Sequence, residues 1–186
     1  MNKRLFRAFL GAGIAVVVFG LTSVTIRPLI WHNWVQPYRV SGASMAPVLL
    51  PDDCILVDRT AYRSTEPKRG DVIVFVPPAG GPQDFLMRIV GVPGEMLRIK
   101  AGKVYANEKV LNETSGIPDV YYQNRNDLPY GKVHQEFKVP EDSYFVLGDN
   151  SQRARDSRWW GFVPQKDIKG KVVFICWPPA RWSRVK

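Results

Sequence analysis

Two hydrophobic patterns divide the chain. Residues 8–26, AFLGAGIAVVVFGLTSVTI, are 19 consecutive positions without a charge. A helix needs about 20 apolar residues to cross a bilayer core. The pattern predicts one transmembrane helix, assigned with its flank to residues 8–30. Downstream, apolar residues recur at every second position, as in half-buried strands. Strands are expected at CILVDR (54–59), DVIVFV (71–76), FLMRIV (85–90), MLRIK (96–100), KVYA (103–106), SYFVLG (143–148) and KVVFICW (171–177). Ala101-Gly102 reads as a hairpin turn between the fourth and fifth of these. No long stretch of helical period follows residue 40.

Residues 107–140 break this rhythm. They are polar, and they predict a small irregular insert hung on the main sheet. The expected fold is therefore all-β, an antiparallel sheet domain with a small irregular β insert, preceded by one N-terminal transmembrane helix.

Charge sets the orientation. The net charge is +9, and residues 1–51 contain Lys3, Arg4, Arg7, Arg27 and Arg39 but no acid. Three of these cations precede the apolar run, which favours a cytoplasmic N-terminus. Trp31 and Trp34 fit an interfacial aromatic belt. The long apolar core and the Arg27-Pro28 flank argue against a cleaved leader. Residues 1–7 are then a short cytoplasmic tail and 31–186 an extracytoplasmic domain. The bilayer becomes the first expected partner.

The rest of the positive excess is dispersed, with no basic helix and no aromatic-basic repeat, so nucleic-acid binding is not expected. Cys54 and Cys176 lie in apolar runs and read as buried small hydrophobes. Outside the cytoplasm a disulfide between them is open. With only His32 and His134 besides, no metal set is formed. Asn112-Glu-Thr is a glycosylation sequon by pattern only, and in a bacterial chain it reads as a polar turn.

Four segments carry candidate chemistry. Ser41-Gly-Ala-Ser44-Met45-Ala46-Pro47 sets a serine behind small residues, where a backbone can approach closely. Arg69-Gly-Asp leads into an apolar strand. Arg88-Ile-Val-Gly-Val-Pro-Gly ends a strand in a turn. Gly148-Asp-Asn precedes Asp156-Ser157-Arg158, an acid and a guanidinium two apart, a spacing that often holds a loop.

In this order, after an N-terminal apolar anchor and with Gly-Phe-Val-Pro following, the four segments resemble the type I signal peptidase family. The resemblance runs over about residues 38–178, loosely at the insert. It implies a membrane-held β domain, in a plasma or thylakoid-type membrane. The implied activity is serine endopeptidase cleavage of signal peptides from exported preproteins, by a serine nucleophile and a lysine base, without metal or cofactor. Ser44 takes the nucleophile position, its N–H helping to hold the oxyanion. Met45 and Pro47 take groove positions. Gly42 stands where some members carry a second oxyanion serine and others a glycine. Arg88, Asp156, Ser157 and Arg158 take supporting positions.

Two departures stand out. The family lysine directly precedes the motif arginine, and here that residue is Met87. A thioether cannot take a proton from Ser44, and Arg88 stays charged. The family serine that orients the lysine is Ala154, within Ser151-Gln-Arg-Ala-Arg155. Three readings fit: a non-catalytic homologue that keeps the peptide groove, binding signal peptides or supporting an active paralogue; an enzyme with a base from elsewhere, such as Lys100, Lys103 or His134; or a substitution at 87 that traps substrate.

Overall fold

The computed structural model describes residues 34–78 and 80–185. The compact unit is Pro37–Lys186. Among the described residues no helix is long and apolar enough to cross a membrane, and the span expected at 8–30 lies outside them.

The domain is nearly all β. One eight-stranded sheet runs in the order β1 (Val35–Arg39), β2 (Cys54–Asp58), β11 (Ile168–Trp177), β3 (Val72–Phe75), β4 (Phe85–Gly91), β9 (Ser143–Leu147), β10 (Val163–Pro164), with β12 (Ser183–Arg184) on β11. A four-stranded sheet runs β7 (Lys109–Val110), β6 (Lys103–Ala106), β5 (Met96–Lys100), β8 (Glu136–Lys138). The central pairings β2–β11, β3–β11, β3–β4 and β4–β9 are all antiparallel. One short helix, α1 (Ser157–Trp160), is capped by Asp156.

Strands β4 and β9 lie between two cores. Met87, Ile89, Tyr144 and Val146 enter one core with Val57, Phe75 and Val172, whereas Val90, Phe145 and Leu147 enter the other with Leu97, Ile99 and Val104. Alternate side chains of a strand face opposite ways, so both faces contribute apolar side chains to a core. Burying each such side chain is worth about 1.5–3 kcal/mol.

The expected strands occupy their predicted places within a residue or two, except that β11 begins three residues early, at Ile168. Ala101 and Gly102, with φ of 49° and 76°, make the hairpin turn, and the Tyr121 ring fills the space a Cβ on Gly102 would need. The insert is less irregular than its polarity implies. Its strand β8 pairs with β5, and Leu111, Ile117, Tyr122 and Phe137 enter the second core.

Candidate functional site

Ser44 sits on a turn that two neighbours anchor. Met45 and Leu49 are wholly buried in the first core. Asp53 closes the turn, accepting from the Leu50 N–H at 2.8 Å and from Arg181 Nε at 3.0 Å. Arg181 also donates to the Val48 carbonyl at 2.9 Å. The Ser44 carbonyl accepts from the Asn150 N–H at 2.8 Å, which ties the turn to the loop after β9. The Ser44 N–H makes no backbone hydrogen bond among the described residues.

A groove of about 250 Å³ opens beside Ser44, between residues 38–44 and the start of β4. Ser41, Gly42, Ser44, Met87, Arg153 and Arg155 are on its walls. The sheet curls enough for the Tyr38 hydroxyl to approach Asp84 at 3.5 Å, and Lys169 holds Asp84 at 2.7 Å. Burial leads the causes that raise the Tyr38 hydroxyl above its ordinary value, followed by the Asp84 charge.

Gly148 brings the three key positions together. A Cβ built there would lie 2.5 Å from the Ala154 methyl, 2.6 Å from the Ser44 carbonyl oxygen and 3.4 Å from Met87 Sδ. Serine, methionine and alanine therefore converge on one bare α-carbon. Gly42 is the opposite case, with nothing within 4 Å of a Cβ there.

Two buried ion pairs brace this centre. Arg88, on the face of β4 opposite Met87, binds Asp149 through Nε and Nη2, each at 2.8 Å, and donates from Nη1 to the Gly70 carbonyl at 2.7 Å. Asp156 receives Arg158 at 2.8 and 2.9 Å and the Gly148 N–H at 3.2 Å. Burial raises the Asp156 carboxyl above its ordinary value, and Arg158 opposes that shift. Ser157 Oγ accepts from the Val146 N–H at 2.9 Å, and Arg158 donates to the Ser151 hydroxyl at 2.8 Å. The loop 148–156 is thus held by charge-assisted bonds at both ends.

The site residues named from sequence separate into three places. Ser44, Met87 and Gly42 line the groove, and Ala154 packs beside them. Arg88, Asp156, Ser157 and Arg158 are buried behind it. Met45 is in the core and Pro47 lines a separate cleft with Arg181 and Trp182, because the turn points both away from the groove. The other bases considered are not part of the groove lining: Lys100 and Lys103 face each other across the β5–β6 hairpin, Lys103 pairs with Asp119, and His134 is exposed on the insert. Among the described residues the groove lining contains no lysine and no histidine. In sequence Gly148-Asp149-Asn150 stands only as the segment leading to Asp156; in the structure it carries the contact centre, the Arg88 partner and the Ser44 tether.

The family model described as "Signal peptidase, peptidase S26" matches residues 13–177. A probable signal peptidase I-2 of Synechocystis is 33% identical over 178 residues, covering 93% of this chain and 75% of its own. A signal peptidase I of Leptolyngbya laminosa is 36% identical over 149 residues, covering 76% and 68%. A crystal structure of a signal peptidase I from Enterococcus faecalis aligns with a TM-score of 0.47 at 32% identity, covering 57% of this chain and 97% of that one.

Proposed function

This chain belongs to the signal peptidase, peptidase S26 family, and from that premise we propose a membrane-anchored serine endopeptidase scaffold that recognises signal peptides of exported preproteins and cleaves them at most slowly. The observation that carries the reading is the convergence of Ser44, Met87 and Ala154 on Gly148. The nucleophile position is kept, and apolar groups fill the base and orienting positions.

In this reading a signal peptide lies extended in the groove, beside residues 38–44 and the start of β4, as peptides do when they add to a sheet edge. Ser44 faces the scissile carbonyl, and its N–H meets the developing oxyanion. Among the described residues the groove lining offers no lysine or histidine to take the hydroxyl proton: Met87 has no basic atom, and the Arg88 guanidinium points to the other face of β4 and bonds Asp149. Losing one member of such a unit costs on the order of 10⁶ in rate. Residues 8–30 anchor the chain, and 31–186 work on the far side of the membrane.

Ala154 favours a second reading, a non-catalytic peptide-binding or accessory homologue of an active signal peptidase. Its methyl removes the orienter along with the base. One experiment separates the readings. The full chain in detergent is given a preprotein with small residues at −1 and −3, and both cleavage and binding are followed. Binding with trace cleavage that Ser44→Ala abolishes supports the slow enzyme. Binding without cleavage supports the accessory reading. Efficient cleavage dependent on Ser44 overturns the impairment, and no binding overturns both.

A further inference from the structure

Strands β2 and β11 carry the only two cysteines of the chain. Ile175 lies opposite Ile55 and Trp177 opposite Cys54, so Cys176 is an extra residue in the ladder. A bulge of this kind re-aims side chains. In a regular ladder Cys176 would face away from the side its neighbour Trp177 shares with Cys54. Instead the two Sγ atoms stand 3.2 Å apart, and the Cys176 thiol also approaches the Cys54 carbonyl oxygen at 3.1 Å. A disulfide bond is about 2.05 Å long, so closure needs a shift of roughly 1 Å at an irregular point of the strand.

We propose that Cys54 and Cys176 are a disulfide-forming pair that fastens the Ser44 turn to the end of β11. The neighbouring residues give the bond its consequence. Asp53, next to Cys54, binds Arg181, which lies just beyond β11 and reaches the Val48 carbonyl. That clamp already joins the turn to the C-terminal segment, and the disulfide makes a parallel connection covalently, one residue after Asp53 and five before Arg181. It also encloses most of the domain in one covalent loop, which removes conformations from the unfolded chain.

The chemistry is thiol–disulfide exchange with an oxidised disulfide donor such as glutathione disulfide or a dithiol oxidoreductase. One cysteine attacks the donor disulfide as thiolate and releases a donor thiol. The second cysteine then attacks the mixed disulfide and releases the other. The two cysteines lose two electrons and two protons, and the donor leaves as two thiols. Burial, then the adjacent Cys54 thiol, pushes the Cys176 thiol up to about 11.

The test uses the full chain in detergent, treated with oxidised glutathione and trapped by an alkylating reagent. The expected product is a monomer lighter by two hydrogens, with no alkylated cysteine and one peptide pair linking Cys54 to Cys176. Its melting temperature should exceed that of the reduced protein by about 10 °C. A Cys54→Ala/Cys176→Ala variant should melt with the reduced protein and show no response to oxidant. Thiols that remain alkylatable, glutathione adducts or crosslinked dimers as the sole products, or an internal disulfide that leaves the melting temperature unchanged would each overturn the proposal. None of these readouts depends on peptidase activity, so the outcome stands apart from the reading of the groove.

Discussion

Met87 and Ala154 meet across the bare α-carbon of Gly148, which leaves the Met87 sulfur and the Ala154 methyl 3.4 and 2.5 Å from a Cβ built there. A lysine at 87 and a serine at 154 would occupy the same neighbourhood as base and orienter. Met87→Lys with Ala154→Ser should therefore raise preprotein cleavage by at least about 10²-fold, the usual contribution of a general base. The rate should climb with pH until the lysine is neutral. Met87 is 3% exposed, and burial lowers a lysine pKa. The sign for stability follows: the variant should lose stability relative to Ala154→Ser alone as pH falls below the lysine's unfolded value, down to its folded value. Cleavage assays and melts across pH check both. No gain in rate would show that the groove itself has diverged.

Gly148→Ala should damage the same centre without altering any charge. The new methyl would press on the Ser44 carbonyl oxygen and on Ala154. Overpacking of this kind costs about 1–3 kcal/mol, and shifting the Ser44 turn should weaken peptide binding. Gly42→Ala is the control, since nothing lies within 4 Å of its Cβ, and it should stay within about 0.5 kcal/mol of the parent. Gly42→Ser uses the same space for a second hydroxyl beside the groove. Paired denaturant melts and peptide titrations separate these outcomes.

The pattern of the chain explains why some of this was legible and some was not. Strand β5 buries Leu97 and Ile99 and leaves Met96 and Lys100 exposed, so its alternation is visible in sequence. Strands β7, β10 and β12 are two residues each and exist through pairing, which no period records. The early start of β11 includes Gly170, where a Cβ would come within 2.5 Å of the Asp58 carbonyl oxygen; a close strand approach looks like a turn residue in sequence. The insert reaches its core through Leu111, Ile117, Tyr122 and Phe137, spaced too irregularly for either period. Ser44, Met87 and Ala154 were found by family resemblance, but their meeting at Gly148 depends on β4, β9 and the turn together. The approach of Cys54 and Cys176 depends on a bulge, which sequence does not announce.

Asp149→Ala should be among the most damaging single changes in the domain. It takes away the carboxylate that the buried Arg88 guanidinium holds with two bonds of 2.8 Å. Breaking a buried pair by removing one partner costs about 3–5 kcal/mol. Arg88→Met should cost a comparable amount for the mirror reason. Arg88→Met with Asp149→Leu should cost less than the two single losses combined, because neither charge is then stranded. A double-mutant cycle in urea measures the difference, and simple additivity would show that the pair acts only through its separate packing.

Tyr122→Phe should make the protein more stable. The Tyr122 hydroxyl is buried and has no hydrogen-bond partner among the described residues. Burial is the main cause that raises its pKa, with Asp149 next. An unsatisfied buried hydroxyl carries a desolvation cost of about 1–3 kcal/mol, and phenylalanine keeps the ring that packs among Ile99, Leu111 and Ile117 in the second core. Relief of even 1 kcal/mol should raise the melting temperature by about 2–4 °C in a domain of this size. The ring lies behind the groove, so peptide binding should not change. A lower melting temperature would mean that the hydroxyl is satisfied in solution, and that the ion pairs around Arg88 and Arg158 use it.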